Sequence, residues 1–228
     1  MPAQAVGELC NVLALSYLQK EDFSRVNSLL KRAEALTVND PMGRAVTYNN
    51  YACYMRRVGK LHTALVFMRK TLDLEKRLKH CNNRADTHIN LCSILSQLHK
   101  HDEALNHAKQ ALDMVSGEVF GKATEAVAKQ KGPMAAAAMS PPERIAVLCI
   151  AYHNFGVESE FCKEFTAALK AYTKGADIAK ALLGEDHGIT KMVRASQLAA
   201  AKTITAERKR VKAEEEAKAA AGKQTVDL

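Results

Sequence analysis

Four stretches of this sequence repeat one another in register, and that periodicity restricts the fold more than any other feature. They read LCNVLALSYLQKEDFSRVNSLLKRAEAL, YNNYACYMRRVGKLHTALVFMRKTLDL, HINLCSILSQLHKHDEALNHAKQALDM and YHNFGVESEFCKEFTAALKAYTKGADI. A small or β-branched residue recurs at Val26, Ala64, Ala104 and Ala168, at intervals of 38, 40 and 64 residues, so the last interval holds an insertion. An apolar anchor stands 13 residues before each, at Leu13, Tyr51, Leu91 and Phe155, and is followed at once by Ala14, Ala52, Cys92 or Gly156. Three residues ahead of the anchors come Cys10, Tyr48, His88 and Tyr152, and three ahead of the second small residue come Phe23, Leu61, His101 and Phe165. Apolar residues spaced three and four apart describe one face of a helix, and a small residue on that face lets a second helix approach closely. Each stretch therefore reads as two amphipathic helices joined by a short polar turn. With 11 Gly and 5 Pro in 228 residues, helix breakers are too few to interrupt such pairs.

The order large, large, small, then aromatic, then alanine resembles the tetratricopeptide repeat. The phrases YNNYACYMRRVGK and ALLGEDH are similar to repeats of kinesin light chains. The resemblance covers roughly residues 5 to 190, with the second and fourth units fitting best and the histidines at 88 and 101 weakening the third. It implies an all-α fold: a right-handed superhelical solenoid of antiparallel helix pairs closed by a C-terminal capping helix. Three pairs are expected over 1–115, a low-complexity insertion over 116–142 and a fourth pair over 143–185. A capping helix over 186–206 and a charged, solvent-exposed or disordered tail over 207–228 complete the expected layout. Helices are predicted near 5–19, 22–37, 42–57, 60–80, 83–98, 101–115, 143–161, 164–183 and 187–218. Asp40 before Pro41 predicts a helix start, Gly184 a helix stop, and Asp186 a cap for the helix that follows. Within the insertion, Ala135–Ala138 is the one candidate short helix.

Composition excludes several function classes. The chain lacks an apolar run of about 18 residues and a secretory leader, which predicts a cytoplasmic protein with no membrane contact. Its six cysteines, at 10, 53, 81, 92, 149 and 162, form no C-x-x-C pair and are expected as reduced, packed thiols. His99, His101 and His107, with His80–Cys81 and His88–Cys92, are the candidate metal groups, and they lack the second ligand pair that zinc spacing requires. No phosphate-cradling glycine loop, G-x-S-x-G or H-E-x-x-H motif is present, so the expectation is a non-enzymatic chain with no cofactor, metal or small-molecule substrate.

What remains is protein binding. Asparagine recurs one residue before the anchor at Asn50, Asn90 and Asn154, with Asn11 one place earlier in the first unit. In tetratricopeptide superhelices the first helix of each pair lines the concave face, and an asparagine there resembles the ladder that holds extended peptides. An amide donates and accepts, so it suits a peptide backbone, and it serves equally well to bond a neighbouring helix. On the same face stand Asn49, Cys53, Arg56, Arg57, Ser93, Gln97 and His153, which complete the candidate partner-binding set. Chaperone-binding members of the family carry a Lys/Arg clamp where this chain has Asn11, Asn49, Ile89 and His153, so a cochaperone role is not expected. The net charge of +8 and the kinesin-light-chain resemblance point to a microtubule-based assembly, cytoskeletal, ciliary or axonemal, with protein partners. The alternative is nucleic-acid binding through Arg69, Lys70, Lys76, Arg77, Lys79 and the cluster at Arg208, disfavoured because the aromatics needed for base stacking serve as repeat anchors.

Overall fold

The computed structural model describes residues 3–78, 84–121, 129 and 132–224. Every described element is helical: α1 Ala3–Gln19, α2 Phe23–Leu36, α3 Pro41–Arg57, α4 Leu61–Arg77, α5 Arg84–Gln97, α6 His101–Phe120, α7 Pro133–Ala137, α8 Pro142–Phe161, α9 Phe165–Leu183 and α10 Gly188–Gln224. The chain divides into two compact units, residues 1–121 and 122–228. In the first, α1 packs on α2, α3 on α4 and α5 on α6, and successive first helices also touch, α1 against α3 and α3 against α5. In the second, α8 pairs with α9, and α10 lies against both.

The small residues do what their size predicts. Ala14, Ala52, Cys92, Ala64, Ala104 and Ala168 are all buried, as is Val26. Tyr51 and Leu91 fill the space beside them, Tyr51 stacking on Phe67 with ring centroids 4.8 Å apart. Leu13 departs from this pattern and is 39% exposed. Tyr51 packs against Ala14, Val26 and Leu30 of the preceding pair, whereas α1 has helices only on its α2 and α3 sides among the described residues.

The turn inside each pair repeats as faithfully as the core. Glu21, Gly59, His99 and Lys163 adopt positive φ, at 59°, 78°, 57° and 63°, and are spaced by the same 38, 40 and 64 residues. After each, an amide reaches back to the carbonyl five residues earlier: Asp22 to Tyr17, Lys60 to Met55, Lys100 to Leu95 and Glu164 to Ser159. This is the Schellman closure, whose left-handed residue is best served by glycine. Only Gly59 meets that preference; the other three carry a Cβ in a region that costs about 1–2 kcal/mol. Replacing Lys163 by glycine is accordingly expected to raise stability by about 1 kcal/mol, read as a higher denaturant midpoint at unchanged slope, while Gly59→Ala should lower it by a similar amount.

Helix ends follow local chemistry, with three departures from expectation. Asp40 caps α3, its carboxylate accepting from Gly43 N at 3.0 Å, and Gly184 ends α9 at φ 92°. At α10, however, it is His187 Nδ1 and not Asp186 that accepts from a helix-start amide, that of Ile189 at 3.3 Å; Asp186 instead pairs with Lys191 at 3.2 Å. Helix α6 runs on to Phe120 past the predicted end at 115, because Ala111, Val115 and Val119 continue one buried stripe. Helix α10 continues to Gln224, beyond the end predicted near 218. Within 116–142, α7 occupies 133–137, while 122–128, 130 and 131 lie outside the described residues, as does Cys81.

Candidate partner-binding face

The asparagines are joined to one another. Asn90 Nδ2 donates to Asn49 Oδ1 at 2.9 Å, Asn49 Nδ2 to Asn50 Oδ1 at 3.4 Å, Asn50 Nδ2 to Asn11 Oδ1 at 3.1 Å, and Asn11 Nδ2 to Thr47 Oγ1 at 3.0 Å. Thr47 closes the relay on Gly43 O at 2.9 Å. One chain of polar contacts thus crosses α5, α3 and α1. Asn11 and Asn50 are 3% and 2% exposed, and their amides are engaged between helices. Of the two roles open to these amides, the inter-helix one is filled. Buried amides satisfied on both atoms stiffen a core, and removing one strands its neighbours. Asn50→Ala should cost about 1–3 kcal/mol in denaturant unfolding, since Asn11 and Asn49 each lose a partner; a loss below about 0.5 kcal/mol would contradict the relay.

A groove of two adjoining cavities, about 270 and 330 Å³, opens above this relay. Leu15, Met42, Val46 and Asn50 line both, so the two form one continuous depression across α1, α3 and α5. Its apolar walls are open to solvent, Val12 at 64%, Leu15 at 40% and Met42 at 37%.

The remaining members of the candidate set are scattered. Cys53 is half-buried, and burial pushes its thiol above the ordinary range, which makes it a poor nucleophile. Arg56 and Arg57 are exposed in the last turn of α3, where cations complement the helix dipole. Ser93 donates to Ile89 O in its own helix at 3.1 Å, and Gln97 is exposed at the end of α5. In the second unit α10 covers the equivalent position: His153 Nε2 lies 3.0 Å from Ser196 Oγ, and burial lowers the imidazole pKa. His153 is therefore a packing residue and not part of an open face. Asn154 Nδ2 is buried with no hydrogen-bond partner among the described residues.

Of the histidines and cysteines weighed for metal, His88 and His107 meet, with Nδ1 atoms 2.8 Å apart, but no group of three His, Cys, Asp or Glu side chains converges among the described residues. The basic residues weighed for nucleic acid are in part engaged: Arg69 pairs with Glu103 at 3.3 Å, and Lys70 sits over the Tyr48 and Phe67 rings, while Lys79 lies outside the described residues. No described helix is long and apolar enough to cross a membrane.

Residues 43–116 match the family model for the tetratricopeptide repeat. That stretch carries tetratricopeptide repeats. No curated protein matches the sequence. Among solved structures it is similar to that titled "Crystal structure of BtubC (BKLC) from P. vanneervenii", at 19% identity and a TM-score of 0.60, over 92% of this chain and 82% of that one. That likeness concerns the fold, an all-helical repeat architecture. Tetratricopeptide repeats as a class are non-catalytic protein-interaction modules.

Two further positions repeat outside the anchor pattern. Arg44 and Arg84 each stand seven residues before an anchor and reach back to the end of the preceding second helix. Arg44 Nη2 donates to Glu34 O at 3.0 Å, and Arg84 Nη2 donates to Glu75 O and Leu78 O at 2.8 and 3.0 Å. They satisfy carbonyls that a helix end leaves open and complement its negative pole. The threonines three residues further on, Thr47 and Thr87, are buried and hydrogen-bonded, Thr87 to Glu75 Oε1 at 2.9 Å. The 40-residue spacing of both pairs was the available signal.

Proposed function

We propose that this chain is a non-enzymatic scaffold that holds a peptide or helix of a partner protein in the groove across α1, α3 and α5. The observation that carries the reading is that apolar side chains stand open above a hydrogen-bonded floor. Exposed apolar walls in a concave setting favour a partner, and a floor whose amides are mutually satisfied need not reorganise to receive one. In this reading Asn49, Asn90 and the edges of Asn11 and Asn50 form the base, and Cys53, Ser93, Gln97, Arg56 and Arg57 extend the surface along α3 and α5. Asn154 belongs to a separate surface in the second unit.

The test compares proteins retained from an extract by the wild-type chain, by a double variant Val12→Asp/Met42→Asp in the groove, and by Val66→Asp on α4, an exposed site away from it. Partners should be lost with the groove variant and kept with the α4 variant. Equal retention by all three would refute groove binding. We place the scaffold in the cytoplasm, within a microtubule-based assembly, ciliary, axonemal or motor. That placement rests on the phrases similar to kinesin light chain repeats and on the charge of +8, which suits an acidic polymer surface. Salt-sensitive co-sedimentation with microtubules is the expected result, and protein found wholly in the supernatant at low salt would reject it.

A further inference from the structure

The charge of the groove is opposite to that of the chain. The sequence carries 33 Lys and Arg against 25 Asp and Glu, yet the groove lining holds no lysine or arginine among the described residues. Glu8 and Asp40 stand in one cavity, and Asp86 and the buried Glu75 in the other. Between them run Val12, Leu15, Met42 and Val46, so the depression is an apolar stripe flanked at either end by carboxylates. A random sample of this chain's surface would be basic. Low-dielectric walls beside charges of one sign focus their field, and a partner of that same sign would lose its hydration without gaining a counter-charge. A polar cation without apolar side chains would leave the stripe uncovered and gain little. The occupant that satisfies both features carries apolar residues along one side and Lys or Arg beside them.

From this complementarity we infer that the groove takes a basic amphipathic segment of a partner protein. Its apolar residues cover Val12, Leu15 and Met42, and its cations lie against Glu8. Arg56 and Arg57, at the far end of α3, stand outside the cavity lining and do not oppose it. The inference rests on the groove being the binding face and adds the chemistry of what fills it.

Fluorescence anisotropy with the full-length chain and three labelled peptides of about 16 residues, some four helical turns, tests it. One peptide is an amphipathic Leu/Lys helix, the second replaces Lys by Glu, and the third keeps Lys but replaces Leu by Ser. The Leu/Lys peptide is expected to bind at least about tenfold more tightly than either other, a difference of 1.4 kcal/mol or more. Its affinity should fall with added salt, fall again in Glu8→Lys, and be lost in Val12→Asp; both residues are exposed, and circular dichroism confirms that the variants fold. If the Leu/Glu peptide binds as well or better and Val12→Asp abolishes it, the groove stands as a binding face and the basic partner is wrong. If Leu/Lys binding survives both Glu8→Lys and Val12→Asp, the groove is not the site, and both readings fall. If no peptide binds, the inference is overturned.

Discussion

Gly156→Ala is expected to destabilise the second unit by about 2–3 kcal/mol, although alanine is the better helix former. A Cβ at residue 156 would lie 2.5 Å from Tyr172 Cε1 and 2.8 Å from two further ring atoms. The ring has nowhere to retreat. Tyr172 is 1% exposed, packs with Ala168 and Ala200, and lies 5.8 Å from the His153 ring. Its hydroxyl donates to Glu160 Oε2 at 2.7 Å, and burial, reinforced by that bond, holds the phenol far above its ordinary pKa. Moving the ring to admit a methyl group would break that bond or drive the tyrosine into α10. Gly117 is the control, since a Cβ there meets nothing within 4 Å, and Gly117→Ala should stabilise by up to about 1 kcal/mol through helix propensity alone. In thermal unfolding the two substitutions should move the midpoint in opposite directions, Gly156→Ala downwards by about 5–10 °C. A double-mutant cycle separates steric clash from backbone effects. With Tyr172→Leu in place, Gly156→Ala should cost at least about 1 kcal/mol less than it does alone, because residues in contact do not add. Strict additivity would mean the tyrosine is not the obstacle.

The second large effect is acid sensitivity centred on His88 and His107. His88 is 3% exposed, and its Nδ1 shares a hydrogen bond with His107 Nδ1, so one ring donates and the other accepts while both are neutral. Burial, then the neighbouring His107, Lys76 and Arg84, push the His88 pKa down to about 4. Burial likewise lowers His107, with Arg69 and Lys76 adding to the shift and Glu103 opposing it. A histidine whose pKa falls on folding binds its proton more readily in the unfolded chain. Its contribution is therefore complete above pH 6.5 and disappears as the pH drops from 6.5 towards 4. Between pH 7 and pH 5, His88 alone should remove about 2 kcal/mol of unfolding free energy, measurable in urea. His88→Tyr places there the residue that the second and fourth pairs carry, Tyr48 and Tyr152. That variant should lose at least about half of the acid-side sensitivity. An unchanged pH profile would locate the sensitivity elsewhere.

The two features differ in how visible they were in the sequence. Gly156 announced itself, because register placed it with Ala14, Ala52 and Cys92 and helix packing demands a small residue there. The histidine at 88 read as a flaw in the third unit. It is instead half of a pair whose other member, 19 residues away on α6, carries no repeat signal of its own. The asparagines show the same division. Their recurrence at 50, 90 and 154 was legible, as were both roles an amide could fill. Which role it fills depended on whether another side chain's oxygen stood within hydrogen-bonding distance, and Asn11 and Asn49 supplied it at 3.1 and 2.9 Å. His153 lies at a face position by register, but α10 packs across it, and only the path of the chain after Gly184 determines that.

The sequence by itself determined the helix pairs, the small residues that join them, and most helix ends, because these depend on neighbours three, four or five positions away along one chain. A left-handed turn residue at 21, 59, 99 and 163, a capping Asp40 and a terminating Gly184 are local chemistry of the same kind. Tertiary structure alone decided which side chains are exposed where helices from different pairs meet. The groove of Val12, Leu15 and Met42, with Glu8 at one end and Asp86 at the other, draws on residues up to 78 positions apart. Glu8, Val46 and Asp86 stand at one repeat position, 38 and 40 residues apart, but the period does not say that they line one groove. They share a surface because three first helices stack side by side, and the relay from Asn90 to Thr47 holds those helices in the register that makes the surface.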